Sequence, residues 1–304
     1  MELMVFPPFD PAPSPRRRFK AIPVRTLLPN LITLLALCAG LTAIRLAIES
    51  KLELALAAIV FAALLDAIDG RVARMLKGTS RFGAELDSLA DFVNFGVTPA
   101  LILYFWGLHQ LGSVGWIVAL VFAICAALRL ARFNVMIDDP NKPVWADNFF
   151  TGIPAPAGAI VVMLPIYLGF LGLSGGLFGI WMALLFTLAI GLLMVSRLPV
   201  FSGKRVGKRV PSEMVLPLFV VAVLFFALLV SYPWQVLSAG SLLFLACLPL
   251  GWMSYRDYQR KDAAAAETAV ADGVMPASAG EPGAGVEPLS PDEASNPDRP
   301  SRLN

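Results

Sequence analysis

Residues 66–91 read DAIDGRVARMLKGTSRFGAELDSLAD, and this stretch places four carboxylates beside the end of a long apolar run. Asp66 and Asp69 are three residues apart, and Asp87 and Asp91 are four apart, so each pair projects from one face of a helix. Converging carboxylates repel one another unless cations lie between them, and hard divalent ions accept oxygen ligands in such a geometry. The stretch therefore predicts a site for Mg²⁺ or Mn²⁺ between two helices.

Three further residues in this stretch suit a phosphate ester. Gly70 directly follows Asp69, Gly83 precedes the second pair, and a glycine leaves room for a ligand close to the backbone. Arg74 lies about two turns after Asp66 and carries a planar guanidinium that suits phosphate. The alternative is an ordinary interfacial loop whose charges pair among themselves. The complete pattern favours metal-assisted chemistry on a phosphate ester.

The composition is typical of a polytopic membrane protein, with 57% hydrophobic residues, 15% charged residues and a mean hydropathy of +0.71. Apolar runs of about 20 residues predict an all-α fold with about eight transmembrane helices. The predicted spans are 27–48, 52–68, 90–111, 114–133, 153–171, 177–196, 214–231 and 235–253. The lipid bilayer is thus a predicted partner, and no nucleic-acid partner is expected.

The distribution of Lys and Arg predicts the orientation. Basic residues between positions 16 and 25 precede the first span, and no small-residue cleavage site follows a short apolar core, so the segment is not a removable signal peptide. With an even number of spans, both termini and the aspartate stretch are predicted to be cytoplasmic. Segments 1–24 and 262–304 are poor in large apolar side chains and are predicted to be disordered.

The pattern D-x2-D-G-x2-A-R-x8-G-x3-D-x3-D, read from 66 to 91, resembles the signature of the CDP-alcohol phosphatidyltransferase family at every position. The resemblance implies transfer of a phosphatidyl group from a CDP-linked lipid to an alcohol, with release of CMP and with metal held by the four aspartates. It assigns the role of general base to Asp91. His109 is the only histidine and lies in a predicted outer hairpin. Carboxylates are therefore the expected acid–base catalysts at the end of the helices that carries the aspartates.

The resemblance also implies an organisation for the chain. A six-helix catalytic core is expected over 25–210, followed by an additional transmembrane hairpin over 211–255. A homodimer in a bacterial inner membrane is expected as well.

The donor implied by the resemblance is CDP-diacylglycerol, and the residues implied to bind it lie in two parts of the chain. Gly70, Arg74 and Gly83 belong to the signature, and Ser80 corresponds to a hydroxyl residue near the nucleotide in relatives. Upstream, the PNLIT sequence at 29–33 resembles an element near the donor head group, which adds Asn30 and Thr33 to the donor-binding residues. Helix capping or an inward-facing polar group explains these two equally well.

The acceptor is predicted from three downstream segments: FVNFGVTPA at 92–100, RLARFN at 129–134 and FTGIPAPA at 150–157. Together they resemble the membrane-bound phosphatidylserine synthases of the family, which implies L-serine as acceptor. The predicted acceptor-binding residues are Asn94, Arg129, Arg132 and Asn134.

Three alternatives remain open for the acceptor segments and for the function as a whole. The two arginines can instead anchor a helix end at the membrane surface. Glycerol 3-phosphate or inositol phosphate would need additional cations, which the same arginines could supply. An ion-coupled transporter is a remote alternative, because carboxylates in membranes often mark ion pathways.

Overall fold

The structure, a computed structural model, describes residues 24–76, 80–137, 149–173, 175–196, 198–201 and 212–271. In these ranges the chain is helical, as the sequence predicts, apart from one small sheet. The helices are α1 (Val24–Ile48), α2 (Leu52–Met75), α3 (Arg81–Phe92), α4 (Thr98–Trp106), α5 (Ser113–Ile137), α6 (Ala155–Val162), α7 (Leu164–Phe170), α8 (Gly176–Val195), α9 (Ser212–Ser231) and α10 (Pro233–Ala271).

Six helical segments in the described part of the chain are long and apolar enough to cross a membrane, which makes this an integral membrane protein. They are Leu27–Ile48, Arg81–Trp106, Ser113–Met136, Gly176–Val195, Met214–Ser231 and Pro233–Gly251. Two of the eight predicted spans are absent from this set. The run at 52–68 belongs to α2, which carries Glu53, Asp66 and Asp69, and the run at 153–171 is divided between two short helices.

The division of the 153–171 segment follows from its prolines. α6 ends at Val162 and α7 begins at Leu164, with Pro165 in its first turn. A proline lacks the backbone N–H that would continue the preceding helix, and its ring clashes with the preceding turn. The sequence predicted one span here because hydropathy does not register the break.

The predicted third span, 90–111, begins later than the helix that the structure forms. α3 begins at Arg81, after Ser80, and the π-helical turn Val93–Val97 joins it to α4. A short 3-10 turn at Leu108–Leu111 follows α4. The search for apolar runs placed the start of this span at residue 90 because the first half of α3 is polar, whereas the spacing of Asp87 and Asp91 already indicated a helix.

The core lies where α1 packs along α2 and where α5 packs along α8, with α4 and α6 between them. Its largest fully buried side chains include Leu56, Phe95, Phe122 and Tyr167. By contrast, no residue in the apolar window of α9 is buried within the chain. Such exposure is what a lipid environment permits, because lipid tails are as apolar as the side chains they meet.

Strand β1 (Phe149–Thr151) pairs antiparallel with β2 (Pro199–Phe201) and ties the segment before α6 to the segment after α8. Gly152 extends the pairing by donating its N–H to Leu198 O at 2.8 Å. Its φ is +77°, and a Cβ at this position would overlap the carbonyl oxygen of Met194. Glycine is therefore required where the chain turns from the sheet into α6.

The two segments predicted to be disordered lie largely outside the described residues. Positions 1–23 and 272–304 are not described, whereas 262–271 continue α10. The four alanines at 263–266 explain this continuation, since alanine has the highest helix propensity. By its internal contacts the chain divides into two units, 1–253 and 254–304, and the site lies wholly in the first.

Candidate active site

Three of the four predicted aspartates form one cluster. Each of Asp66, Asp69 and Asp87 offers a carboxylate oxygen, and these oxygens all lie within 4.8 Å of one another. Two oxygens bound to one Mg²⁺ at about 2.1 Å lie roughly 3 Å apart when adjacent and about 4.2 Å apart when opposite. The spacing therefore fits a hard divalent cation after a small contraction. The cluster can hold a metal ion with ligands from α2 and α3.

Asp91 lies at the deep side of this cluster, one helical turn after Asp87. Its carboxyl group is close enough to that of Asp66 for the two to share a hydrogen bond. One oxygen of Asp91, Oδ1, is buried and has no partner among the described residues. Two acidic groups this close cannot both carry full charge without a cation or a proton between them. The arrangement therefore suits a group that exchanges a proton beside a cation.

Thr33 of α1 positions one ligand of the cluster. Its hydroxyl donates to Asp69 Oδ2 at 2.7 Å and is also 3.1 Å from the carbonyl oxygen of Pro29. Thr33 and Asp69 are each 4% exposed. Burial raises the pKa of Asp69, the hydrogen bond from Thr33 opposes that rise, and the charge of Asp66 adds to it. In the sequence Thr33 was predicted to bind the donor, and here it holds a carboxylate.

The first turn of α3 meets α1 beside the cluster. Ser80 caps α3, because its hydroxyl accepts a hydrogen bond from the Gly83 N–H at 3.0 Å. A Cβ at Gly83 would lie 2.8 Å from Asn30 Oδ1 and 3.1 Å from Ser80 Oγ. The structure thus brings Asn30, Ser80 and Gly83 together, and Gly83 permits the close approach. Polar side chains and a helix N-terminus meeting at one place suit an anionic ligand such as a phosphate.

Arg129 on α5 is the only buried cation among the described residues, with 7% of its surface exposed. It interacts electrostatically with Asp91, and its guanidinium lies 5.2 Å from the ring centre of Phe133. Such stacking favours one orientation of the guanidinium plane. Arg129 therefore presents a positive charge towards the deep side of the aspartates.

Two other predicted acceptor residues form hydrogen bonds with groups other than the aspartates. Arg132 donates from Nη1 to Val195 O at 2.6 Å, at the carboxyl end of α8, where a cation also suits the helix dipole. Asn134 donates from Nδ2 to Ser88 Oγ at 3.0 Å. These contacts join α5 to α8 and to α3. They give both residues a role in holding helices together.

Gly70 and Arg74 lie on the outer part of α2. Both are exposed, and a Cβ at Gly70 would meet nothing within 4 Å. The space beside Gly70 is open where the sequence predicted that a ligand approaches.

Asn94 is buried in the π-helical turn, 1% exposed, and packs against Gly40 of α1. Sequence reasoning missed Gly40, Ser88 and Phe133, which contact Asn94, Asn134 and Arg129 respectively. Gly40 lies in an apolar run that contains no motif. The only feature of the sequence that could have pointed to it is the glycine itself, which leaves room for a neighbouring side chain.

Taken together, the geometry supports phosphoryl-transfer chemistry on an anionic substrate. Three carboxylates converge at a distance that suits one cation, a Cβ on Gly70 would meet nothing within 4 Å among the described residues, and a fourth carboxylate interacts with a buried arginine. The groups that can bind a metal ion, contact a phosphate and accept a proton therefore lie within one or two helical turns of one another.

Comparison with known proteins identifies the family. The CDP-alcohol phosphatidyltransferase family matches residues 26–192, which contain every site residue predicted from the sequence, and a second family, CDP-alcohol phosphatidyltransferase 2, matches 213–249.

Curated relatives named CDP-diacylglycerol–serine O-phosphatidyltransferase align with most of the chain. The protein from Mycobacterium tuberculosis (strain CDC 1551 / Oshkosh) is 40% identical over 230 residues, covering 76% of this chain and 79% of its own. The protein from Mycobacterium leprae is 40% identical over 223 residues, 73% of each chain. That from Helicobacter pylori (strain 26695) is 35% identical over 231 residues, 75% of this chain and 91% of its own. The chain belongs to the CDP-alcohol phosphatidyltransferase family.

Proposed function

We propose that this protein transfers a phosphatidyl group from CDP-diacylglycerol to L-serine, giving phosphatidylserine and CMP. The observation that carries this function is the alignment of relatives named for that reaction over about three quarters of the chain. The aspartate cluster adds a chemical reason, since the donor is a pyrophosphate whose charge needs a cation.

The reaction requires one bond to form and one to break. The serine hydroxyl oxygen attacks the phosphorus that carries the diacylglycerol, and the bond from that phosphorus to the bridging oxygen breaks. CMP departs with the bridging oxygen. We propose Asp91 as the base that accepts the hydroxyl proton, because it combines a buried unpartnered oxygen with a position beside the other carboxylates.

The proposed cofactor is Mg²⁺ or Mn²⁺, held by Asp66, Asp69 and Asp87 with Asp91 next to them. A divalent ion there supplies positive charge to the pyrophosphate and to the leaving CMP. Thr33 supports this set through its hydrogen bond to Asp69, which joins α1 to α2 at the site.

Donor binding is proposed for the residues around the first turn of α3 and the exposed end of α2. Asn30, Ser80 and Gly83 surround the amino end of α3, where backbone N–H groups favour phosphate. Gly70 gives space for the nucleotide, and Arg74 provides a guanidinium for phosphate.

Acceptor binding is proposed for Arg129, which would take the serine carboxylate. A single buried cation suits a monoanionic carboxylate better than the dianionic phosphate of glycerol 3-phosphate or inositol phosphate, which would leave charge uncompensated. Arg132 and Asn134 were predicted from the sequence to assist, and their contacts with Val195 and Ser88 favour an indirect role in which they position α5.

The membrane arrangement is likewise a proposal. Adding α2 and the α6–α7 pair to the six apolar segments gives eight spans, with a six-helix core over 25–210 and a hairpin of α9 and the first part of α10 over 211–255. The aspartates and both termini are proposed to face the cytoplasm of a bacterial inner membrane, where soluble serine is available. A homodimer is the proposed assembly.

The test is an acceptor panel with purified protein and labelled CDP-diacylglycerol. We expect CMP release that depends on both a divalent cation and L-serine, with phosphatidylserine as the lipid product. Glycerol 3-phosphate and inositol phosphate should give little release at the same concentration. Release that is stimulated by either phosphate ester and not by serine would overturn the serine assignment and keep the family chemistry.

A further inference from the structure

Asn94 carries an unexplained pair of polar atoms. It is 1% exposed, and neither its side-chain Nδ2 nor its Oδ1 has a hydrogen-bond partner among the described residues. A buried amide without partners costs folding free energy, and an apolar side chain of the same shape would avoid that cost. A carboxamide at this position is therefore best explained by a partner that is not part of the chain.

The backbone around Asn94 is also irregular. Thr98 N–H donates to Val93 O across five residues, which defines a π-helical turn from Val93 to Val97. Such turns insert one residue into an α-helix, redirect the side chains that follow, and occur frequently at functional sites. Here the turn begins two residues after Asp91. Asn94 thus lies three residues after Asp91, about one helical turn further along the chain.

Gly40 of α1 provides the space that Asn94 occupies. A Cβ at Gly40 would overlap Asn94 Oδ1, and the Thr98 hydroxyl lies 3.4 Å from the Gly40 carbonyl oxygen. The amide thus fits against bare backbone, and any larger residue at position 40 would displace it.

The polar groups near Asn94 match those of a small zwitterion. Asp91 has a buried oxygen without a partner, and Arg129 is a buried cation that interacts with Asp91. L-Serine carries a hydroxyl, a carboxylate and an ammonium group, with hydroxyl and ammonium on neighbouring carbons. Residues three apart on a helix lie close enough for Asp91 and Asn94 to contact two such neighbouring groups.

We infer that Asn94 binds the ammonium group of the acceptor and that Gly40 is the specificity-determining residue that gives it room. This inference rests on the proposed function. Asp91 then receives the hydroxyl proton, Arg129 binds the carboxylate, and the carboxamide oxygen of Asn94 accepts a hydrogen bond from the ammonium, which has donors only. The site distinguishes serine from acceptors that lack the ammonium group.

The first variant is Asn94→Leu, which keeps the size of the side chain and removes both polar atoms. We expect the thermal midpoint to stay the same or rise, because the unpaired amide is gone. The KM for serine should rise about 10- to 100-fold, the range for losing a hydrogen bond to a charged group, while the KM for CDP-diacylglycerol is unchanged. Asn94→Ala serves the same comparison if the leucine variant does not fold.

The decisive measurement compares serine with 3-hydroxypropionate, which lacks only the ammonium group, as acceptor or as competitive inhibitor. The wild-type preference for serine should collapse in Asn94→Leu. Gly40→Ala should reproduce the loss by displacing the amide, and adding Asn94→Ala to Gly40→Ala should remove the overlap without restoring the preference.

Ser241→Ala is the matched control, since Ser241 is also a buried side chain whose hydroxyl has no partner among the described residues, on α10. It should leave the serine KM unchanged. A stable Asn94→Leu protein with the wild-type serine KM and preference would overturn the inference and reduce Asn94 to a packing residue. Absence of serine-dependent CMP release in the wild-type protein would instead refute the proposed function itself.

Discussion

At the scale of single residues, the four aspartates are chemically alike but occupy different surroundings. Asp66, Asp69 and Asp87 offer oxygens to one point, whereas Asp91 has a buried free oxygen and faces Arg129. We predict that Asp91→Asn lowers turnover about 100- to 10,000-fold, because the amide keeps the shape but cannot accept a proton. Steady-state CMP release measures turnover, and equilibrium binding of labelled CDP-diacylglycerol should stay near the wild-type value.

Glu85 gives a control for that substitution, because it is an exposed acid on the same helix. Glu85→Gln removes one negative charge from α3 and should leave turnover within about twofold of wild type, as surface substitutions usually do. Equal losses in the two variants would assign the effect to the charge of α3 and not to a base at position 91.

The two arginines of α5 allow a second prediction. Arg129 is buried beside Asp91, and Arg132 is bound to the end of α8. Arg129→Lys should raise the serine KM about tenfold or more, since lysine supplies a point charge without the planar fork. Arg132→Lys should leave that KM within about twofold. Serine kinetics at saturating donor distinguish them, and a larger effect from Arg132→Lys would reverse the assignment.

The sequence could predict that the aspartates lie together but not what surrounds the proposed acceptor residues, for a physical reason. The spacing of Asp66, Asp69, Asp87 and Asp91 is local, and helix geometry alone predicts that each pair lies on one face.

The surroundings of the two arginines are not local. Arg129 and Arg132 are only three residues apart, and their different surroundings depend on α8 and on Phe133. Likewise, the contact between Gly40 and Asn94 joins residues 54 positions apart, so no local pattern reveals it.

At the scale of elements, α3 is a short helix that carries two of the four aspartates, and its amino end depends on one capping residue. The Ser80 hydroxyl accepts the Gly83 N–H at 3.0 Å. Ser80→Ala should lower the free energy of unfolding by about 1 kcal/mol, as lost caps do. Ser80→Asp should restore it, because aspartate is an equally good cap.

Thermal unfolding in detergent measures this stability, and the donor KM separates capping from nucleotide binding. If the cap is the main role of Ser80, Ser80→Ala shifts the unfolding midpoint with little change in donor KM. A raised donor KM at an unchanged midpoint would favour the role that the sequence predicted, in which the hydroxyl lines the nucleotide pocket.

Elements that depend on apolar composition were predicted, and elements that depend on backbone detail were not. The runs that became α1, α5 and α8 are predominantly apolar and long enough to cross a bilayer. The π-helical turn Val93–Val97 and the break at Met163 leave the composition unchanged, so hydropathy alone does not detect them. The turn matters most, because it contains Asn94, whose side chain packs against Gly40.

At the scale of the whole molecule, the functional residues come from four helices, α1, α2, α3 and α5, which meet at the aspartates. Thr33 lies near the start of α1, Asp69 near the end of α2 and Arg129 near the end of α5, so antiparallel packing brings distant positions together. The small sheet between β1 and β2 joins two further connections. The distribution of basic residues predicts on which side of the membrane the aspartates lie, and that prediction stays open to test. The sheet could not be predicted, because it depends on which loops meet.

The side of the membrane on which the aspartates lie is the last prediction. Glu49 and His109 lie in turns at the opposite ends of α1 and α4 from the aspartates, and Met75 is 82% exposed at the end of α2. In a variant with Cys38, Cys125 and Cys247 replaced by serine, we introduce single cysteines at these three positions and treat intact cells with an impermeant maleimide. Because basic residues concentrate on the aspartate side, positions 49 and 109 should react in intact cells, and position 75 only after permeabilisation. Serine-dependent CMP release confirms that each variant is folded, and the reverse labelling pattern in an active variant would place the site outside the cytoplasm.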